Sequence, residues 1–231
     1  MVSVLPTTAA SRVLVASLLA LITLAGCGDL EQAAAAGSSR DDLASDLADQ
    51  LGGSASLTYT ATYQLAGGKT ATISQAQEPT RSAYVYPGGK VIVTADAITR
   101  CEPRAKKLTC TMTAPTSPAP AAVFVGAGKS GMALPESVLS LLNSASLDAD
   151  KTVKQHDTTI AGHHASCVEL ADVDEVAGGK FTACVTSEGV LGSFTGTADG
   201  TFEDVAMTRY TDKVEADAFE PSPEATLVDH R

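Results

Sequence analysis

Basic residues are scarce in this chain. Lys and Arg total 16 against 27 Asp and Glu, a formal net charge of −11. A chain this acidic does not neutralise a phosphate backbone and offers no basic face to anionic lipid head groups, which excludes nucleic acid as a partner. Aromatics are scarcer still, at 4% of residues with no Trp. Thr, Ser, Gly and Val are plentiful instead, a composition that favours many short strands over a helix bundle. After Leu24 there is no second long apolar run, so nothing later in the sequence has the pattern of a helical membrane span.

Signatures of chemistry are also missing. No Cys-x-x-Cys spacing occurs, so a structural zinc site has no clustered ligands. No Gly-x-Ser-x-Gly occurs, and a Ser or Cys hydrolase needs a nucleophile, a base and an acid held together. Gly126-Ala-Gly-Lys-Ser-Gly131 is reminiscent of a phosphate loop, but Val123 stands where the leading Gly belongs and a Pro-rich stretch precedes it. It is expected to be a flexible loop before a helix. His163-His164, with His156 nearby, is the only histidine cluster. Adjacent strand residues point to opposite faces, so this pair is poorly placed to share an ion and reads as a solvated turn. Asp172, Asp174 and Glu175 read as a solvated turn as well. No cofactor, metal or enzymatic activity is expected.

The N-terminus has the clearest features. Arg12 is the only charge before Cys27, and Val13–Leu24 is almost wholly apolar. That run is the length of a signal-peptide core and short of the roughly 20 residues a bilayer span needs. It ends in Leu24-Ala25-Gly26-Cys27, which resembles the bacterial lipobox position by position. The resemblance implies export, cleavage before Cys27 and attachment of lipid to its thiol. The expected organisation is a signal peptide over 1–26, a lipid-anchored tether over 27–40, one domain over 41–221 and an irregular tail over 222–231. Localisation would be the extracytoplasmic face of a cell membrane. Cys27 is also the odd cysteine of five, and a leftover thiol in an exported chain needs a role.

Cys101, Cys110, Cys167 and Cys184 remain, an even number that suggests two disulfides. Three pairings are possible. Cys101–Cys110 and Cys167–Cys184 are favoured, because each pair brackets a hairpin-length segment.

Along the body, Asp41–Leu51 predicts a helix with Leu43, Leu47 and Leu51 on one stripe. Leu57–Leu65 alternates over nine residues, the pattern of a strand with one buried face. Weaker strands follow at 70–75, 82–86, 90–95 and 107–113. Pro115, Pro118 and Pro120 make 114–122 a crossing loop. Leu134–Leu142 predicts an apolar helix with Pro135 in its first turn. Strands return at 152–159, 164–170, 180–186, 190–198 and 202–210. Strands segregated from helices imply an α+β fold: a strongly curved antiparallel sheet with helices packed on its concave side. Tyr59, Tyr63 and Leu65, with Leu139 and Leu142, are either plain core or the lining of a cavity for an apolar ligand.

The second half carries a family likeness in Ile160-Ala-Gly-His-His-Ala-Ser-Cys167, Ala183-Cys-Val185, Gly189-Val-Leu-Gly-Ser-Phe194 and the closing Val214–Pro221. It is similar to lipoproteins of high-GC Gram-positive bacteria and to the wider LolA/LppX/LprG-type lipoprotein and lipid carriers. The likeness implies an open, unclosed β-barrel: a strongly curved antiparallel sheet of about ten or more strands forming a half-barrel capped by helices, whose concave side can hold acyl chains. Two functions follow as expectations. One is a monomeric, membrane-anchored carrier of a lipid or acyl ligand. The other is a non-enzymatic envelope lipoprotein with a structural or protein-interaction role and a filled core. An apolar cavity of several hundred Å3 under the sheet separates them.

Overall fold

In the computed structural model the described residues are 42–231, apart from Lys106 and Glu175. The expected signal peptide, Cys27 with its expected lipidation, and the expected tether all lie outside the described residues.

Alternation builds the sheet. In β1 (Tyr59–Leu65), Tyr59, Ala61, Tyr63 and Leu65 are buried, while Thr60, Thr62 and Gln64 are not. Tight hairpins then add β2 (Thr70–Gln77), β3 (Thr80–Tyr86), β4 (Gly89–Val93), β5 (Ile98–Arg104) and β6 (Lys107–Thr113). A second meander holds β7 (Thr152–Ile160), β8 (His163–Ala171), β9 (Lys180–Thr186), β10 (Leu191–Ala198) and β11 (Thr201–Thr211). The meanders join where β1 pairs antiparallel with β11, Leu65 opposite Val205 and Ala61 opposite Tyr210. A last strand, β12 (Thr226–His230), pairs with β6. The order is β12-β6-β5-β4-β3-β2-β1-β11-β10-β9-β8-β7, a curved sheet that does not close.

Two expectations change here. The tail beyond residue 221 is not irregular to its end, because Thr226–His230 forms a strand. Pro221 and Pro223 lie in the bend before it, and the β-branched Thr226 and Val228 suit the extended backbone of the strand. That strand runs parallel to β6, so the sheet is mixed and not wholly antiparallel. The segment 98–104 also forms β5, a strand that its local pattern does not announce. Its Pro103 sits near the strand end, two residues past Cys101.

The helices lie on the concave side. Helix α1 (Asp42–Gly52) buries Ala44, Leu47, Ala48 and Leu51, one apolar stripe at helical spacing. Helix α3 (Pro135–Leu147) starts with Pro135, whose fixed φ suits the first turn, and buries Val138, Leu142 and Ala145. It runs five residues further than the apolar pattern predicts, through a polar Asn-Ser-Ala-Ser-Leu turn. α1 and α3 pack on each other and, with the inner strand faces, form the main core. Gly189 locks this arrangement to the sheet. Its φ of +87° is open to glycine, and an added Cβ would stand 2.9 Å from the Gln50 carbonyl. The Gln50 amide donates to the Thr186 carbonyl at 2.8 Å beside it.

A smaller cluster on the outer face sits beneath the returning C-terminal segment. Phe219 packs with Ala76, Ala83 and Ile92, and the Arg81 guanidinium lies 4.3 Å from its ring centre. Lys90 donates to the Glu220 carbonyl at 2.7 Å and pins the same segment.

Candidate functional site: a cleft under the sheet

The sequence between Lys107 and Glu136 contains one charged side chain, Lys129. It is rich in Ala, Pro and Gly, which gives it little bulk to fill space. It crosses the concave side as a 3-10 turn (Ala121–Val123) and a short helix α2 (Val125–Lys129). So the stretch expected to be a flexible loop is ordered. Gly126 permits the close approach: an added Cβ would come 2.7 Å from the Tyr86 hydroxyl oxygen.

This thin cover leaves a cleft of about 570 Å3. Its sheet side is Ser82 and Tyr84 of β3 and Val93 of β4. Phe124, Val125 and the Ala-Pro stretch at 118–122 form the opposite wall, and Leu134, Glu136 and Ser137 open α3 at one end. Gly128, Lys129, Asp199 and Thr201 complete the lining. Asp199-Gly200 is the two-residue turn between β10 and β11, and both residues have positive φ, as a type I′ hairpin requires. That turn carries Asp199 to the first turn of α3.

Two hydrogen bonds fix the polar groups. Tyr84 Oη donates to Glu136 Oε1 at 3.1 Å, and its ring meets Phe124 edge-on with centroids 5.0 Å apart. Burial, and after it the Glu136 charge, hold the Tyr84 phenol well above its ordinary pKa, so it stays a donor. Ser137 Oγ donates to Asp199 Oδ2 at 2.7 Å. Among the described residues no protein donor reaches the second oxygen of either carboxylate.

Beyond Thr201 the next inward position on β11 is Glu203, 2% exposed, with Oε2 lacking a partner among the described residues. Burial, and then the Asp199 charge, raise its pKa to about 8. It is a neutral acid at and below neutral pH.

The residues singled out from sequence are placed differently. Cys101–Cys110 and Cys167–Cys184 are disulfides, each between residues directly opposite on neighbouring strands. Tyr59, Tyr63, Leu65 and Leu142 are buried in the filled core, with Tyr63 Oη donating to the Leu191 carbonyl at 2.9 Å. Of the five, Tyr59 and Leu139 border free space, a gap of about 50 Å3. The five are not gathered around a cavity, because α1 and α3 fill that part of the half-barrel. The cleft lies beside them, against β3 and β4.

His163 is not a solvated turn residue. Nδ1 lies 2.7 Å from Glu188 Oε1, and the ring packs edge-on against Tyr210 at 4.9 Å. His164 is exposed, on the other face. The donor atoms of His156, Cys167 and Cys184 lie within 4.8 Å of one another, but both sulfurs are spent in the disulfide. A second hollow of about 330 Å3 lies elsewhere, lined by Thr152, Lys154, Glu169, Lys180 and Phe202 among others. These five residues alternate with core positions on the same strands, which puts their side of the hollow on the outer face, while Leu170 and Phe181 of the main core border its floor.

Sequence reasoning missed the cleft because it sought large apolar side chains. The usable signal was the reverse, a long run of small, uncharged residues too thin to fill the space it covers.

No family model matches the chain, and no curated protein matches it. Among solved structures it is similar to an uncharacterized conserved protein from Thermus thermophilus. The two are 11% identical, the match covers 81% of this chain and 99% of that one, and the TM-score is 0.46.

Proposed function

We propose that this chain is an extracytoplasmic lipoprotein, anchored through lipid on Cys27, that binds the apolar portion of a lipid or acyl ligand in the cleft under β3 and β4. The observation that carries the reading is the cleft itself. It has about 570 Å3, within the range of small-molecule sites, an apolar wall of Phe124, Val125, Val93 and Leu134, and a few polar groups at one end. Leu24-Ala-Gly-Cys27 supports the anchor. The reading is non-enzymatic: Ser137 and Tyr84 already donate to carboxylates, and neither His163 nor Glu188 lines the cleft.

Extraction of lipid from the full chain expressed in its host tests the binding role. Wild type is expected to carry co-purifying lipid, and Ala122→Trp, which fills the cleft from its exposed cover, to carry several-fold less. Lipid that is absent from wild type, or equal in both, overturns the reading. The envelope lipoprotein with a filled core then takes its place, a role the packing of Tyr59, Tyr63 and Leu142 already suits. The anchor has a separate test. Cys27→Ser is expected to leave the chain unprocessed or released from the membrane fraction, and unchanged retention contradicts lipidation.

A further inference from the structure

The polar end of the cleft is not neutral. Glu136 and Asp199 bring two carboxylates to the first turn of α3, and Lys129 is the single cation in the lining. The carboxylates are held in place by Tyr84 and Ser137, whereas Lys129 is exposed at the end of α2 and makes no ion pair among the described residues. Each held carboxylate keeps one oxygen free to accept. A group arriving beside Phe124 and Leu134 therefore meets acceptors in fixed positions and a cation that must be drawn in from water. The wider field has the same sign, since the chain carries a net −11.

We propose that the cleft selects amphiphiles whose polar end donates hydrogen bonds, a hydroxyl-bearing or primary ammonium head, and discriminates against carboxylate or phosphate heads. This rests on the reading of the cleft as an apolar-ligand site and adds the chemistry of the head. The apolar chain lies along Phe124, Val93 and Leu134. The head donates to the free oxygens, Glu136 Oε2 and Asp199 Oδ1. An anionic head placed there loses its water, faces two held carboxylates and finds only Lys129 and the neutral hydroxyls of Ser82 and Thr201 to donate to it, at a cost that a buried or half-buried like-charge contact makes large.

Four probes with one chain length separate the contributions: monolaurin, dodecylamine, dodecyltrimethylammonium and laurate. Displacement of Nile red, a neutral apolar dye, reports their binding to the full mature domain at neutral pH. Monolaurin and dodecylamine are expected to bind at least about tenfold more tightly than laurate, the effect of one charged hydrogen bond. Dodecyltrimethylammonium, a cation with no N–H, falls between them. Glu136→Gln combined with Asp199→Asn keeps the Tyr84 and Ser137 bonds and the hairpin turn. It is expected to shrink the ratio to about twofold or less. Lys129→Met removes the one cation open to laurate and is expected to leave the ratio in place or widen it. Laurate binding as tightly as monolaurin, or a ratio that survives the double substitution, overturns the inference while leaving the apolar cleft intact. Failure of the dye and all four probes to bind overturns the cleft reading, and this inference with it.

Discussion

Glu203 is an acid in a place that favours its neutral form. Its folded pKa is raised from 4.5 to about 8 by burial, with the Asp199 charge adding to the effect. For an acid raised on folding, the unfolded chain releases its proton first as pH rises. The cost to stability is absent below about 4.5, grows through the interval and is fully present above about 8. Thermal melts of wild type are therefore expected to show a Tm that declines from pH 5 to pH 9. Glu203→Gln removes the ionisation and keeps the shape. It should flatten that decline and raise stability at pH 9 by on the order of 2 kcal/mol. A variant with the same pH slope as wild type would show that Glu203 is ionised in the fold. No pattern in the sequence marks this residue. Thr201, Glu203, Val205 and Met207 alternate as any half-buried strand does, and a single acid on the inner face is visible only once the helices lie over it.

Among the elements, β12 contributes most through its backbone. Of its five residues only Val228 is even half-buried, and Leu227 is 56% exposed. It covers the edge of β6, whose unpaired amides and carbonyls would otherwise invite another strand. Deletion of residues 222–231 leaves Phe219 and its outer-face cluster in place. The deletion is expected to cost only about 1–3 kcal/mol, the net worth of a few exposed hydrogen bonds. Concentration-dependent association should appear at the same time. Sedimentation velocity checks this, and a monomer at all concentrations would show that β6 needs no cover. Elements with strong local patterns were legible: β1 from its alternation, α1 from its leucine stripe, and the cross-strand disulfides from cysteines that bracket hairpins. β12 was hidden by Pro221 and Pro223, which signal a break but give no hint of the strand beyond it. Strand β5 was hidden by Pro103 and its charged neighbours. α3 outran its apolar pattern because its last turn is mostly polar, with Leu147 87% exposed and only the small Ala145 entering the core. The cleft was illegible for a different reason. Its walls come from β3, β4, the 118–128 cover, α3 and the β10–β11 turn, and only the assembled sheet brings them together.

At the scale of the whole molecule, one pairing unites the two meanders. Strands β1 to β6 are each bonded to the next in sequence, as are β7 to β11, while β1 with β11 joins residues as far apart as Leu65 and Val205. Each meander can therefore form by short-range closure, and the β1–β11 seam carries the long loop-closure cost. Each disulfide lies within one meander, so neither crosses the seam. Two stretches of chain link the halves: Thr113 to Thr152, which holds the cleft cover and α3, and Thr211 to Thr226, which leads from β11 back to β12 on the edge of β6. The protein is thus divisible. Two peptides made by interrupting the chain between Gly131 and Leu134 are expected to reassemble on mixing through the seam and the α1–α3 contact, regaining native circular dichroism. Fragments that fold separately but fail to associate would contradict it. A half-barrel of this kind is a natural split reporter: the break falls at the end of the cleft, so a ligand that bridges the cover and α3 would act as the clasp between the two pieces.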